Sequence, residues 1–363
     1  MTIKKVAILT SGGDAPGLNG VIRAFVKSAI NDHGWDVVGV EDGYEGMIGT
    51  PKLTPLANAQ VRGLLGRGGT ILGSTNKGNF GLQKVNGEMV RNDAVYEEFV
   101  RNVKANAIDA VVVLGGDGSQ SIAHDLYTFG APMLGVPKTI DNDLVGTDQT
   151  FGFDTAIGVA TDALDRLHTT AESHDRVMVL EVMGRHAGWI ALDAGLAGGC
   201  DAILIPEIPF DINVVASKIK ERDSFGAKFS IIVVAEGAMP KGGGAIYQRE
   251  GLLGGIGHRV AAELGELTGK DTRAVVLGHI QRGGSPTPLD RILASRYGVA
   301  AVWAISQGRF GQVVALQNDV MLTIPLLECA NKIKAVPVDS QLVRTARSLG
   351  IVFGDEDEGA SRT

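Results

Sequence analysis

DAVVVLGGDG, residues 109–118, is the stretch whose reading decides the fold. Its β-branched and aliphatic run is apolar at every position, which marks a strand covered on both faces. The run ends in two glycines, an aspartate and a third glycine, a turn bare enough for a helix to begin at once. Similar runs occur at 5–13 (KVAILTSGG), 35–43 (WDVVGVEDG), 132–143 (PMLGVPKTIDND), 177–188 (VMVLEVMGRHAG), 202–210 (AILIPEIPF), 229–237 (FSIIVVAEG) and 274–284 (AVVLGHIQRGG). Helical patterns fall between them, among them 19–34, stopped by Gly34, 94–108, and the segment IGHRVAAELGELTG. Buried strands alternating with helices predict an α/β fold with mainly parallel sheets. The segment 242–255 reads as a loop, and the acidic tail 354–363 as loose chain.

A chain of 363 residues predicts two or three domains. Its 44% hydrophobic and 5% aromatic content describes an aliphatic globular protein. The net charge of -7 argues against a nucleic-acid surface. Cys200 and Cys329 stand far apart and predict no disulfide framework. The opening MTIKKVAILTSGG has too short an apolar run for a signal peptide, and no run reaches membrane-spanning length. The expectation is a soluble, cytoplasmic protein that binds neither membrane nor nucleic acid.

The polar residues just past the strand ends carry the chemistry. Asp14, Asp117, Asp141, Asp143, Arg185, Glu236, His279 and Arg282 all follow apolar runs. In open α/β sheets ligands bind there. Any one of them alone is as well read as a helix cap or a turn former. The glycine turns at 10–20, 66–79 and 115–119 offer backbone amides to anions, and three such turns suggest a polyphosphate. The P-loop and dinucleotide fingerprints are both missing. Asp117 is suited to a hydrated Mg²⁺ that bridges phosphates. In PKTIDND (137–143), Asp141 can accept a hydroxyl proton, Asp143 support it electrostatically, and Thr139 bind a phosphate or hydroxyl. That stretch is equally well read as an Asx-rich turn. Arg176, Arg185, Arg273 and Arg282 suit a terminal phosphate monoester. His279 fits hydrogen bonding better than metal binding, and Glu236 can accept from sugar hydroxyls. The sum is Mg²⁺-dependent transfer of a phosphoryl group from a polyphosphate to a hydroxyl on a substrate that already carries phosphate.

The motifs TSGGDAPGLN, GGTILGS, GGDGS, PKTIDND, GRHAGWIA and VLGHIQRGGSPTPLDR, in this order over roughly residues 5–300, resemble those of phosphofructokinases. The resemblance implies two similar three-layer α/β domains with the active site in the cleft between them. A larger ATP-binding domain would span 1–150 plus about 281–325, and a smaller sugar-phosphate domain 151–280 plus about 326–363. It implies Asp141 as proton acceptor and Asp117 as Mg²⁺ ligand. Gly13, Lys77, Gly116, Gly118 and Ser119 would meet the nucleotide phosphates. Thr139, Met183, Gly184, Arg185, Glu236, His279 and Arg282 would hold fructose 6-phosphate. Arg176 and Arg273 would reach the substrate of a neighbouring subunit in a homotetramer or homodimer.

The family includes ATP and pyrophosphate users, and two positions bear on the donor. Pyrophosphate members resemble one another in carrying Asp where this chain has Gly118; glycine leaves room for the α-phosphate of ATP. Lys138 resembles the pyrophosphate pattern. Steric exclusion is harder to evade than an added cation, so the expectation is ATP with Mg²⁺, as in the mixed-substrate branch. Thr75, Asn76 and Lys77 stand where bacterial ATP members carry an arginine, and Lys77 lacks its bidentate fork. Arg23 and Lys27 match part of a basic effector pocket whose later lysines are largely missing, Lys228 alone being near, which implies weak or absent regulation by ADP or phosphoenolpyruvate. Competing readings are a pyrophosphate-dependent enzyme, a kinase acting on sedoheptulose 7-phosphate, a lipid or NAD kinase, and a non-catalytic sugar-phosphate-binding subunit.

Overall fold

The buried run Ala110–Gly115 forms a strand at the centre of a seven-stranded sheet. The computed structural model describes residues 3–75, 78–85, 88–244, 247–249 and 252–355. In sheet order the strands are Val320–Pro325, Gln312–Gln317, Met133–Pro137, Ala110–Gly115, Lys5–Thr10, Asp36–Val40 and Leu53–Leu56. The inner five are parallel, and the two edge strands pair antiparallel. Helices Leu18–His33 and Pro288–Ser306 cover one face, and Asp93–Ala105 and Asp117–Thr128 the other. The first helix ends where glycine predicts: Gly34 is left-handed, with φ of 66°.

Lys5–Thr10 pairs on one side with Asp36–Val40, the next strand in the chain, and on the other with Ala110–Gly115. The strand order therefore reverses between Lys5–Thr10 and Ala110–Gly115. Such a switch point opens a crevice outside the carboxyl ends of the two strands. The glycine turns at 11–14 and 115–119 both leave from it.

This sheet belongs to a unit made of Met1–Ile140, Leu144–Thr155 and Arg282–Ile333; a second unit comprises Asp141–Asp143, Ala156–Gln281 and Lys334–Thr363. In the second unit Thr272–Val276, Val177–Val182, Ser230–Ala235 and Ala202–Leu204 form a parallel sheet in that order. Its order reverses between Val177–Val182 and Thr272–Val276, again at the ends that carry predicted site residues. Among the described residues no helix is long and apolar enough to cross a membrane.

Two local expectations are corrected. The segment 242–255 is not only loop, because Tyr247–Arg249 and Leu252–Leu253 pair as short antiparallel strands. The tail is tied down at its start: the Asp211 amide donates to the Gly354 carbonyl at 2.7 Å, and Arg347 pairs with Asp355 at 2.7 Å. Residues 356–363 of that tail lie outside the described residues.

Asp193, on the helix Trp189–Ala197, has a half-buried carboxylate whose Oδ1 makes no hydrogen bond among the described residues. Burial pushes its carboxyl up to about 6. An unfolded chain releases that proton near pH 3.9, so the folded state alone keeps it between about pH 4 and 6. Stability then falls as pH rises through that window and is level above it. Asp193→Asn is expected to stabilise the protein by about 1–2 kcal/mol above pH 6 and to flatten the slope below it. Unfolding midpoints measured from pH 4 to 8 check this, and an unchanged slope refutes it.

Candidate active site

In the first unit the turn at 115–119 is built around two glycines with different tasks. A Cβ on Gly115 would lie 2.2 Å from the Ser119 Cβ, so the fold itself excludes a side chain there. A Cβ on Gly118 would meet nothing within 4 Å, and the position is exposed. Between them, Asp117 opens the helix Asp117–Thr128, whose N-cap residue Gly116 supplies no side-chain hydrogen bond. The first amides of that helix are thus left for a ligand, with the helix dipole behind them. The half-buried Asp117 carboxylate makes no hydrogen bond or ion pair among the described residues. Ser119 is buried, and its hydroxyl bonds the Ser11 hydroxyl at 3.0 Å, joining the two glycine turns.

The turn at 11–14 is flanked by two cations. Lys138, only 3% exposed, donates from Nζ to the Gly13 carbonyl. Arg282 Nη1 donates to the Asp14 carbonyl at 3.0 Å. A Cβ on Gly13 would stand 2.8 Å from that Nη1, so a side chain there would push the guanidinium from its present place. Strand register places Gly115 opposite Pro137, which brings the 115–119 turn beside Lys138 and Thr139. The Thr139 carbonyl accepts from Thr150 Oγ1 at 2.7 Å. Lys77 lies outside the described residues.

In the second unit the loop after Val177–Val182 carries Met183, Gly184 and Arg185. The Met183 amide donates to Gln281 Oε1 at 2.7 Å, which ties this loop to the turn that holds His279. Gly184 has φ of 135°, and a Cβ on it would lie 2.8 Å from the Ala187 carbonyl. Glu236 follows the neighbouring strand, with its amide on the Val182 carbonyl at 2.9 Å, and Gly237 donates to the Gly184 carbonyl at 3.1 Å. Arg185, His186, Glu207, Gly237 and Met239 help line a cavity of about 300 Å³. Arg185 and His279 are both exposed. Burial raises the Glu207 carboxyl above the usual range, although the Val336 and Gly188 amides oppose the shift. Asp141 and the buried Asp143 pack with this unit.

Arg176 and Arg273 are held elsewhere. Both pair with Asp271, Arg176 at 2.6 Å, at the amino-terminal end of the strands Val177–Val182 and Thr272–Val276. Arg185 and His279 follow the carboxyl ends of those strands, which are roughly 17 Å away at about 3.3 Å per residue. Within this unit the fold therefore separates these two arginines from Arg185 and His279. Sequence reading missed Ser11, which joins the two turns, and Gln281, which fixes Met183. Both lie inside motifs already noted, in TSGG and HIQRGG.

Residues 5–305 match the family model described as phosphofructokinase. The chain belongs to the phosphofructokinase family. A curated relative from Chloroflexus aggregans, named ATP-dependent 6-phosphofructokinase, is 60% identical over 97% of this chain and 98% of its own. The phosphofructokinase of Pichia pastoris, solved in the T-state, superposes with a TM-score of 0.81 at 32% identity over 96% of this chain; the match spans 36% of that longer chain. A phosphofructokinase of Marinobacter aquaeolei named as pyrophosphate-dependent superposes with a TM-score of 0.79 at 25% identity, over 99% of this chain and 95% of its own. A family member named as pyrophosphate-dependent thus shares the fold, so the fold alone does not choose the donor.

Proposed function

We infer that the protein is an ATP-dependent 6-phosphofructokinase of glycolysis, which converts fructose 6-phosphate and ATP to fructose 1,6-bisphosphate and ADP. The observation that carries the choice of donor is the open space beside Gly118, next to an Asp117 carboxylate with no protein partner among the described residues. In the reaction the 1-hydroxyl oxygen bonds to the γ-phosphorus while the bond to the β–γ bridging oxygen breaks. That electron pair leaves with ADP, and the hydroxyl proton passes to Asp141. The amides opening the helix Asp117–Thr128 receive donor phosphates, and Lys138 and Arg282 supply positive charge at the adjacent turn. Met183, Gly184, Arg185, Glu236 and His279 orient the sugar phosphate, with Arg185 offering its fork to the 6-phosphate.

The residues fit Mg²⁺ brought in with the nucleotide. Among the described residues no cluster of three His, Cys, Asp or Glu could cage a metal. Mg²⁺ needs none, because it keeps water and phosphate oxygens and takes one or two carboxylates, here Asp117. When bound it neutralises phosphate charge. The distance of Arg176 and Arg273 from Arg185 and His279 supports self-association as a homodimer or homotetramer, in which they reach a neighbour's sugar phosphate. The protein acts in the cytoplasm on this reading.

The competing donor is pyrophosphate, favoured by the buried Lys138. Steady-state rates with fructose 6-phosphate and each donor separate the two. ATP is expected to exceed pyrophosphate in kcat/KM by about 100-fold or more, equivalent to about 2.7 kcal/mol. A pyrophosphate value equal to or above that for ATP overturns the assignment. Parallel rates with sedoheptulose 7-phosphate define the acceptor.

A further inference from the structure

Asn142 stands between the carboxylates of Asp141 and Asp143 with φ of 51°, in the left-handed region. Asparagine tolerates that region better than most residues, yet it lies about 1–3 kcal/mol uphill and persists only where its surroundings hold it. Part of that hold comes from a segment beyond residue 305, where the family match ends. The Lys334 amide donates to the Asp143 carbonyl at 2.7 Å, and its ammonium donates to Asn142 Oδ1 at 3.1 Å. One residue therefore grips two consecutive positions of the loop, through backbone and through side chain.

Lys334 is itself anchored. Its carbonyl accepts from Trp189 Nε1 at 2.7 Å, and its ammonium lies 5.6 Å from the indole centroid, within cation–π range. Two residues on, the Val336 amide donates to Glu207 Oε1 at 2.8 Å. The same carboxylate accepts from the Gly188 amide at 3.0 and 3.1 Å. Residues 334–336 thus connect the 141–143 loop to the segment 184–189, which carries Arg185.

We propose that Lys334 is a positioning residue for phosphoryl transfer: by clamping Asn142 and Asp143 it fixes the direction in which Asp141 presents its carboxylate to the acceptor hydroxyl. This rests on the reading of Asp141 as proton acceptor. A group that acts through another in this way changes the chemical step more than it changes binding. A misplacement of about 1 Å lowers rates by up to about 100-fold.

The test compares Lys334→Met, Lys334→Arg, Asn142→Gly and the double variant Asn142→Gly/Lys334→Met. Glycine accepts the left-handed backbone but removes the acceptor amide. Lys334→Met is expected to lower kcat about 10- to 100-fold, with both KM values and the unfolding midpoint nearly unchanged. Lys334→Arg recovers most of the rate. The double variant is no slower than the slower single one, because both remove the same contact. Amide exchange at 141–143 accelerates in Lys334→Met, a readout that does not depend on turnover. A Lys334→Met enzyme with wild-type kcat, or a double variant whose losses multiply, overturns the proposal. If Lys334→Met is unstable, Trp189→Phe, which removes the bond to the Lys334 carbonyl and replaces the indole beside its ammonium with a smaller ring, carries the same test, and an unaltered kcat there overturns it. A wild-type protein inactive with both donors refutes the functional reading and this inference with it. An active wild type with an indifferent Lys334 refutes the inference alone.

Discussion

Asp141→Asn is expected to lower kcat about 1,000-fold while fructose 6-phosphate still binds within a few-fold of the wild-type affinity. Proton transfer by a positioned side chain contributes about 10²- to 10⁴-fold, and an amide of the same shape cannot take the proton. Two structural facts make the experiment clean. Asp141 follows directly on Ile140, which is fully buried, so packing helps to set the backbone that carries the carboxylate. The next residues are held from outside through Asn142 and Asp143. Replacing one oxygen by an NH₂ group is therefore expected to leave the loop in place. Rapid-quench or steady-state rates give kcat, and calorimetry gives the affinity. A loss below about tenfold is less than a general base contributes and assigns the proton to another group. A matching loss of affinity would make Asp141 a binding residue instead.

The polar strand ends were legible in the sequence because glycine and charge interrupt apolar runs whatever the tertiary fold. Strand order was not. Leu9 pairs with Val113 across about a hundred residues of chain, and no local pattern records that register. The switch points, at which candidate site residues lie, therefore emerge only once the sheets are built. The hairpin Gln312–Gln317 to Val320–Pro325 was passed over, although Asn318 and Asp319, both with positive φ, form the kind of two-residue turn that joins such strands. Arg282 reads from sequence as a sugar-phosphate ligand, and its additional bond to the Asp14 carbonyl has no local signal. Lys334 had no signal at all: its meaning depends on Trp189 and Asn142, which only the closed fold brings to it.

Gly118→Asp is expected to reduce kcat/KM for ATP by at least about 100-fold and to spare pyrophosphate by comparison. A glycine in the first turn of a helix gives up about 1 kcal/mol of propensity relative to alanine. The fold receives nothing for it at 118, since a Cβ there touches no atom within 4 Å and the backbone is not left-handed. Gly115, three residues earlier, is the contrasting case in which packing alone forbids a side chain. An acidic residue at a helix amino terminus is favourable by about 0.3–1 kcal/mol. The variant is thus expected to fold as well as the wild type or better, and lost activity cannot be ascribed to unfolding. What changes is the ligand's side. A second carboxylate beside Asp117 occupies the open space and adds negative charge to a phosphate site. Two unit charges about 4 Å apart repel by about 4 kcal/mol at an effective dielectric constant near 20, more than a 100-fold loss requires. Pyrophosphate has no phosphate that continues into a nucleoside, so it needs less of that space. Gly118→Ala, which adds bulk without charge, separates the two contributions. Unfolding midpoints that hold steady alongside a collapsed ATP rate support the steric reading of position 118. Undiminished ATP turnover in Gly118→Asp would mean that the nucleotide's phosphates do not pass this turn, and the choice of donor would have to rest on other residues.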